Sequence, residues 1–255
     1  MQRPIVIVGI GEMGGVFARA FLRNGRPVVP VTRGTPIEAV AAAVPDPVLA
    51  LAAVGEADLG PLLASWPDAW KDRTGLIQNE LLPRDWEHHG IADPTVAAVW
   101  FEKKPGRDVK VIVPTPVAGP GATGVADALA TLGIAAETIP RSALVEALVV
   151  KNLYILTANI AGMEIGGTTG ELWSEHRDLA CAVATDVLAV QRHLTGAPLV
   201  ADPLLEATGA AFLADPDHGC TGRSAPARLA RAIAHADRAG LAVPELRRIH
   251  ARASR

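Results

Sequence analysis

Lysine is scarce in this chain of 255 residues. Five lysines stand against nineteen arginines among its 24 basic residues, so each lysine carries more information than usual. Cysteine is scarcer still: Cys181 and Cys220 lack metal-ligand spacing, which argues against a cysteine zinc site and makes free thiols the expectation. Runs of one charge are missing too, and a net charge of -3 gives no electrostatic basis for binding nucleic acid or an acidic membrane surface. No uninterrupted apolar run reaches membrane-spanning length, and the first predicted strand begins by Ile5, leaving no room for a signal peptide. The expectation is a soluble, cytoplasmic protein with neither membrane nor nucleic-acid partner. No Gly-x-Ser-x-Gly elbow occurs, which removes that class of hydrolase.

What is present is organised around Pro4 to Arg33. Ile5-Val6-Ile7-Val8 is a β-branched run that reads as a strand buried on both faces of a parallel sheet. The turn Gly9-x-Gly11-x-x-Gly14 follows: Gly9 permits the sharp bend, Gly11 removes a Cβ from the path of a pyrophosphate, and Gly14 lets a helix pack close to the strand. That helix starts near Glu12 and continues through Met13, Val16, Phe17, Ala20 and Phe21, aiming its first N–H groups at the phosphate. Glu12 would repel a phosphate, so it is expected to face solvent. Pro27 to Val31 forms the second strand, and Thr32-Arg33 stands where an NAD site carries an acid. A hydroxyl and a guanidinium suit a 2′-phosphate, which favours NADPH over NADH. Gly9, Gly11, Glu12, Met13, Gly14, Thr32 and Arg33 are the expected cofactor contacts.

Further on, Ile37–Val44 and 56–66 read as helices, with Val48–Val54 and Thr74–Gln78 as strands. Asn79, after the strand ending in Gln78, stands where nicotinamide or substrate would reach it, although a turn residue explains it as well. Thr95–Phe101 and Val109–Thr115 suggest an antiparallel hairpin added to the sheet, followed by a helix over Ala122–Leu132 and a strand near Ala135–Ile139. Pro140-Arg141 marks the expected boundary between an α/β domain, 1–140, and an all-helical domain, 141–255. Helices are predicted there over 143–162, 172–194, 203–213, 225–239 and 244–253. Two such domains imply a cleft for a small-molecule substrate, and the Ala-rich helices could pair subunits into a homodimer.

Lys151 lies inside the apolar run from Leu144 to Leu156, a poor place for a casual surface charge. A desolvated ammonium there can polarise and protonate a carbonyl; the other reading is a lysine whose stem packs while its head reaches water. Tyr154 and Asn159 share its helical face. Asn159 could orient a substrate carbonyl or carboxylate or satisfy a helix contact, and Tyr154, the sole tyrosine, could donate to substrate or belong to the core.

These residues together resemble the ketopantoate reductase (2-dehydropantoate 2-reductase) family over nearly the whole chain. The likeness rests on the glycine turn with Arg33, the Gln78-Asn79 pair, the Lys151 helix with Asn159, Gly170-Glu171-Leu172 before the next helix, and Gly240-Leu241-Ala242-Val243-Pro244. It implies a Rossmann-type α/β domain, then an all-α domain of the 6-phosphogluconate dehydrogenase C-terminal type, and NADPH-dependent reduction of a 2-oxo acid. By resemblance, Lys151 and Asn79 are the catalytic residues, with Asn159, Tyr154, Ser224 and Glu80 around the substrate. The chain departs from the family at three positions: Glu80 replaces the glycine of Gln-Asn-Gly, Ile155 replaces an asparagine, and Ser224 falls where a substrate-binding glutamate is expected. A carboxylate lost from the site costs about 2–3 kcal/mol of discrimination, so the substrate should differ from ketopantoate. The rival reading is a non-catalytic NADP-binding sensor or partner-binding protein. Asp215, His218 and Cys220 lack a fourth ligand with recognisable spacing and read as a polar loop, so no metal is expected.

Overall fold

The structure, a computed structural model, describes residues 2–253. Its first part runs β1 (Ile5–Val8), α1 (Glu12–Arg23), β2 (Val28–Val31), α2 (Ile37–Ala43), β3 (Leu49–Ala52), α3 (Glu56–Ala64), β4 (Thr74–Leu76) and α4 (Arg84–Glu87). It continues with β5 (Thr95–Ala97), β6 (Phe101–Glu102), β7 (Lys110–Val111), β8 (Thr115–Ala118), α5 (Ala122–Ala130) and β9 (Ala136–Thr138). The strands of the main sheet lie in the order β2-β1-β3-β4-β5-β8-β9. β1 pairs in parallel with both β2 and β3, with Ile5 opposite Val28 on one side and Leu49 on the other. This explains why β1 and β3 are apolar at every position, whereas the edge strand β2 tolerates Pro30, which has no N–H to give a further neighbour. Ile5, Ile7, Phe17, Leu51, Val117 and Leu129 belong to one core cluster, and Phe17 meets Phe101 with ring centroids 6.0 Å apart. Large side chains buried in this way contribute about 1.5–3 kcal/mol each.

The region expected to form a single added hairpin is divided differently. β6 and β7 pair antiparallel in a ribbon of their own, while β8 joins the main sheet antiparallel to β5 and parallel to β9. Both expected strands were apolar runs long enough to hide a break. Thr115 fixes the second part, because its Oγ1 accepts the Trp100 N–H at 3.0 Å.

The second part contains α6 (Leu144–Ile165), α7 (Thr169–Glu175), α8 (Arg177–Thr195), α9 (Ala201–Ala214), α10 (Ala225–Ala239) and α11 (Pro244–Ala253). Two compact units divide within α6, after Ala147. The division falls past Pro140-Arg141 because Arg141 is tied to the first unit: its guanidinium donates to the Pro94 carbonyl at 2.9 Å, pairs with Asp93 and lies over the Trp86 ring. The helix expected over 172–194 is two helices broken at His176, the first opened by a capping box in which Thr168 and Glu171 exchange side-chain bonds to backbone N–H groups. α11 begins on Asp186 of α8, whose carboxylate accepts the Glu245 and Leu246 N–H groups at 2.7 and 3.1 Å. By length and composition the helical stretch Arg141–Ile165 could cross a bilayer, but 67% of its apolar window is buried inside the structure, as in a core helix. The fold class is thus an α/β Rossmann-type unit followed by an all-α unit.

Candidate functional site

The chain leaves β1 through Gly9, whose φ of +96° is open to glycine at little cost; a Cβ there would also lie 2.7 Å from the Ala53 carbonyl oxygen. A Cβ on Gly14 would overlap the Gly9 carbonyl, so α1 can approach β1 only with glycine at this position. Gly11 differs: nothing in the protein lies within 4 Å of the Cβ position, and the open space adjoins a cavity of about 750 Å³. This cavity lies at the carboxyl ends of β1, β2 and β3, where the strand order reverses. Gly9, Gly11, Thr32, Arg33, Thr35 and Asp58 line it, with Val54, Ile37 and Leu62 as apolar wall. Thr32 and Thr35 shape the turn after β2: the Thr35 N–H donates to the Thr32 carbonyl at 3.0 Å and the two hydroxyls are 3.2 Å apart. Arg33 is exposed on the rim. A helix N-terminus, a glycine opening that a Cβ would fill, and a guanidinium beyond the second strand fit a dinucleotide with a 2′-phosphate.

Glu12 faces solvent, as expected, and its carboxylate also lies 3.2 Å from the Lys103 ammonium, which offsets the charge that would repel a phosphate. The Met13 side chain packs against the core cluster, leaving its backbone as the part that can serve a ligand.

After β4, the buried Gln78 donates from Nε2 to the Ala52 carbonyl at 2.8 Å and accepts the Ile77 N–H at 3.1 Å, so the end of β4 is fastened to the end of β3. Asn79, half-buried, follows in the turn. Glu80 has φ +61°, a left-handed conformation that costs a non-glycine residue about 1 kcal/mol or more. The glycine that the resemblance implied at this place is explained by the backbone, which keeps the glycine conformation with a glutamate in it.

In the second unit, Lys151 is buried in α6, 8% exposed. Burial, reinforced by the nearby charge of Arg228, pushes its pKa down to about 7. The ammonium lies over the Tyr154 ring, 5.5 Å from its centroid. Tyr154 is itself buried, with Phe212 and His218 against it at 5.1 and 6.3 Å, so its ring forms the floor beneath the lysine. Asn159, about two turns further along α6, donates from Nδ2 to the Cys220 carbonyl at 3.2 Å and accepts at Oδ1 from Arg228 Nη1 at 2.7 Å. Both ends of this amide are therefore bound within the protein. Ile155 is buried, and Ser224 is exposed at the start of α10 with no side-chain capping bond.

Arg228 escaped the sequence reading. It lies one turn beyond Ser224, whose carbonyl accepts its N–H at 2.9 Å, and its side chain returns to α6. The sequence signal for it is the i, i+4 spacing from Ser224, a position where the resemblance pointed to an acid and not to a base. Asp215 and His218 lie 3.5 Å apart in the loop before α10, and among the described residues no group of three or more His, Cys, Asp or Glu side chains could hold a metal. Both cysteines are free, and burial pushes the Cys220 thiol up to about 11.

The chain matches no protein-family model and none of the curated proteins. Solved structures match it along nearly its full length. A dimeric ketopantoate reductase from Staphylococcus aureus shares 16% identity at a TM-score of 0.66, covering 97% of this chain and 96% of that one. A ketopantoate reductase from Ralstonia eutropha shares 19% identity with the same TM-score and coverages. D-mandelate dehydrogenase, solved with NADH and also with NADH and anilino(oxo)acetate, has a TM-score of 0.65 in both structures, at 14% and 15% identity, again over 97% of this chain and 96% of the other. At these identities the likeness is one of architecture: the chain has the fold shared by ketopantoate reductases and D-mandelate dehydrogenase.

Proposed function

We propose that this protein is an NADPH-dependent reductase of a small 2-oxo acid. The observation that carries the reading is Lys151, a buried lysine whose ammonium and amine forms are both accessible near pH 7. When bound, NADPH supplies a hydride to the carbonyl carbon. Lys151 polarises the carbonyl oxygen and gives it a proton, and the products are a 2-hydroxy acid, NADP+ and the amine form of Lys151, which regains its proton from water. Gly9, Gly11 and Gly14 seat the pyrophosphate and Arg33 with Thr32 takes the 2′-phosphate. Met13 serves through its backbone at the start of α1, and Glu12, paired with Lys103, leaves that site approachable. Asn79 orients the substrate, with Glu80 setting the turn that presents it. The solved D-mandelate dehydrogenase complexes, with NADH and a 2-oxo acid analogue on the same architecture, support the substrate class.

The second reading, a non-catalytic NADP-binding sensor or partner-binding protein, draws on the buried Ile155 and the exposed Ser224. Against it stands the cost of Lys151: a helix with no chemistry to perform gains stability from an apolar residue at that position. A homodimer, as described for the S. aureus neighbour, fits the exposed Val200 and Leu213 of the second unit. The test is to supply NADPH and a panel of 2-oxo acids and quantify the products. The proposal requires one 2-hydroxy acid formed per NADPH consumed with at least one panel member. NADPH binding without any turnover would favour the sensor.

A further inference from the structure

Resting on the reading of the glycine turn as the seat of the cofactor's diphosphate, we infer that Lys103 is a positioning residue of that site and acts through Glu12: by holding and offsetting the acid in the first turn of α1, it sets how tightly the diphosphate binds. The inference starts from the ribbon of β6 and β7, which carries three of the chain's five lysines, Lys103, Lys104 and Lys110. The ribbon is fixed to α1 at its base, where Phe101 meets Phe17 within one core cluster, and the Ile112 N–H donates to the Trp100 carbonyl at 2.8 Å. Its turn is closed by the Arg107 N–H to the Lys104 carbonyl at 3.1 Å. Glu102, the acid on the ribbon beside them, is taken by Lys104 at 3.0 Å. Lys103 turns to α1 instead: its Nζ donates to the Lys104 carbonyl at 2.8 Å and lies 3.2 Å from the Glu12 carboxylate. The Lys103 side chain is 16% exposed, against 54% for Lys104. A lysine that serves only solubility keeps its head in water. This one is drawn in to a glutamate on another element.

The glutamate stands at a sensitive place. Glu12 follows Gly11, which lines the cavity and, as the N-cap of α1, has no side chain to cap the helix. The first N–H groups of α1 are therefore left for an anion. An acid in that turn is favourable while the site is empty, because it meets the positive end of the helix, and unfavourable beside a bound diphosphate, because the two anions repel. Lys103 offsets this conflict from outside the turn. It draws the carboxylate toward the ribbon and brings the summed charge of the pair to zero, so the affinity of the glycine turn for a diphosphate depends on a residue far from it in sequence.

The experiment is calorimetric titration of NADPH into the full chain at low salt, for the parent, Lys103→Gln, Lys103→Arg, Glu12→Gln and the double variant Lys103→Gln with Glu12→Gln. Lys103→Gln should weaken NADPH about 3- to 10-fold, Lys103→Arg should keep most of the affinity, and Glu12→Gln should bind more tightly than the parent. The double variant should return to within about twofold of the parent, and all these differences should shrink at high salt, a response that a merely structural role would not give. Thermal melting of each variant close to that of the parent excludes unfolding as the cause. Lys103→Gln binding NADPH as tightly as the parent overturns the inference. So does a double variant as weak as Lys103→Gln, since the lysine would then not act through Glu12. Absence of NADPH binding by the parent would remove the cofactor reading and this inference together, whereas tight binding unaffected by Lys103→Gln removes this inference alone.

Discussion

Gln78 spans from the end of β4 to the Ala52 carbonyl at the end of β3, with Nε2 2.8 Å from the oxygen, and just beyond it the chain is held left-handed at Glu80. The strained turn is thus anchored on its near side by a buried amide. Strain kept beside a residue expected to meet substrate is a mark of a functional turn. Replacing Glu80 by glycine should relieve it, stabilising the protein by about 0.5–1 kcal/mol and raising Tm by about 1–4 °C. A melting curve shifted downward would show that the glutamate side chain, not the backbone, governs the turn.

Gly11 and Gly14 should respond in opposite ways to the same substitution. Gly11→Ala meets only open space, so Tm should be unchanged, while NADPH affinity falls at least about tenfold, because the methyl enters the pyrophosphate path. Gly14→Ala drives a methyl into the Gly9 carbonyl and should cost about 3 kcal/mol or prevent folding. Melting curves with paired NADPH titrations distinguish the two, and unweakened NADPH binding by Gly11→Ala would remove this turn from the cofactor site.

Arg33→Ala should weaken NADPH on the order of 10- to 100-fold and NADH by less than about threefold, since only NADPH carries the 2′-phosphate. Titration of both cofactors measures it. Equal losses would place Arg33 outside the phosphate site.

Lys151 should be a stability liability. Its pKa is lowered on folding from 10.5 to about 7, so between these values the unfolded chain binds more protons than the folded one, and stability rises with pH across that window. At and below pH 7 the penalty is present in full. Lys151→Met should therefore stabilise the protein by about 1–3 kcal/mol at pH 7, and the gain should shrink toward pH 10. Denaturation curves at several pH values check the sign; a destabilised Met variant would mean the ammonium is held by favourable contacts.

Much of the first unit was readable because each step there has a local cause: the run from Ile5 to Val8, the glycine spacing and the paired strand before Arg33 all act over a few residues. The same holds for Lys151, whose oddness is visible as a charge in an apolar helix. What escaped depends on contacts distant in sequence. The Lys103 partner of Glu12, the separate pairing of β6 with β7, and Arg228 bonded to Asn159 are decided by tertiary packing that no periodicity records. The break at His176 carries neither proline nor glycine to announce it.

The central claim is that Lys151 protonates a substrate carbonyl, and the most direct measurement is the pH profile of NADPH oxidation with a reactive 2-oxo acid, taken for the parent and for Lys151→Ala. The parent should lose kcat/KM as pH rises through about 7, where the buried ammonium gives up its proton, and Lys151→Ala should be slower by about 10²–10⁴-fold with that pH dependence gone. A Lys151→Ala protein as active as the parent, with the same profile, would contradict the account.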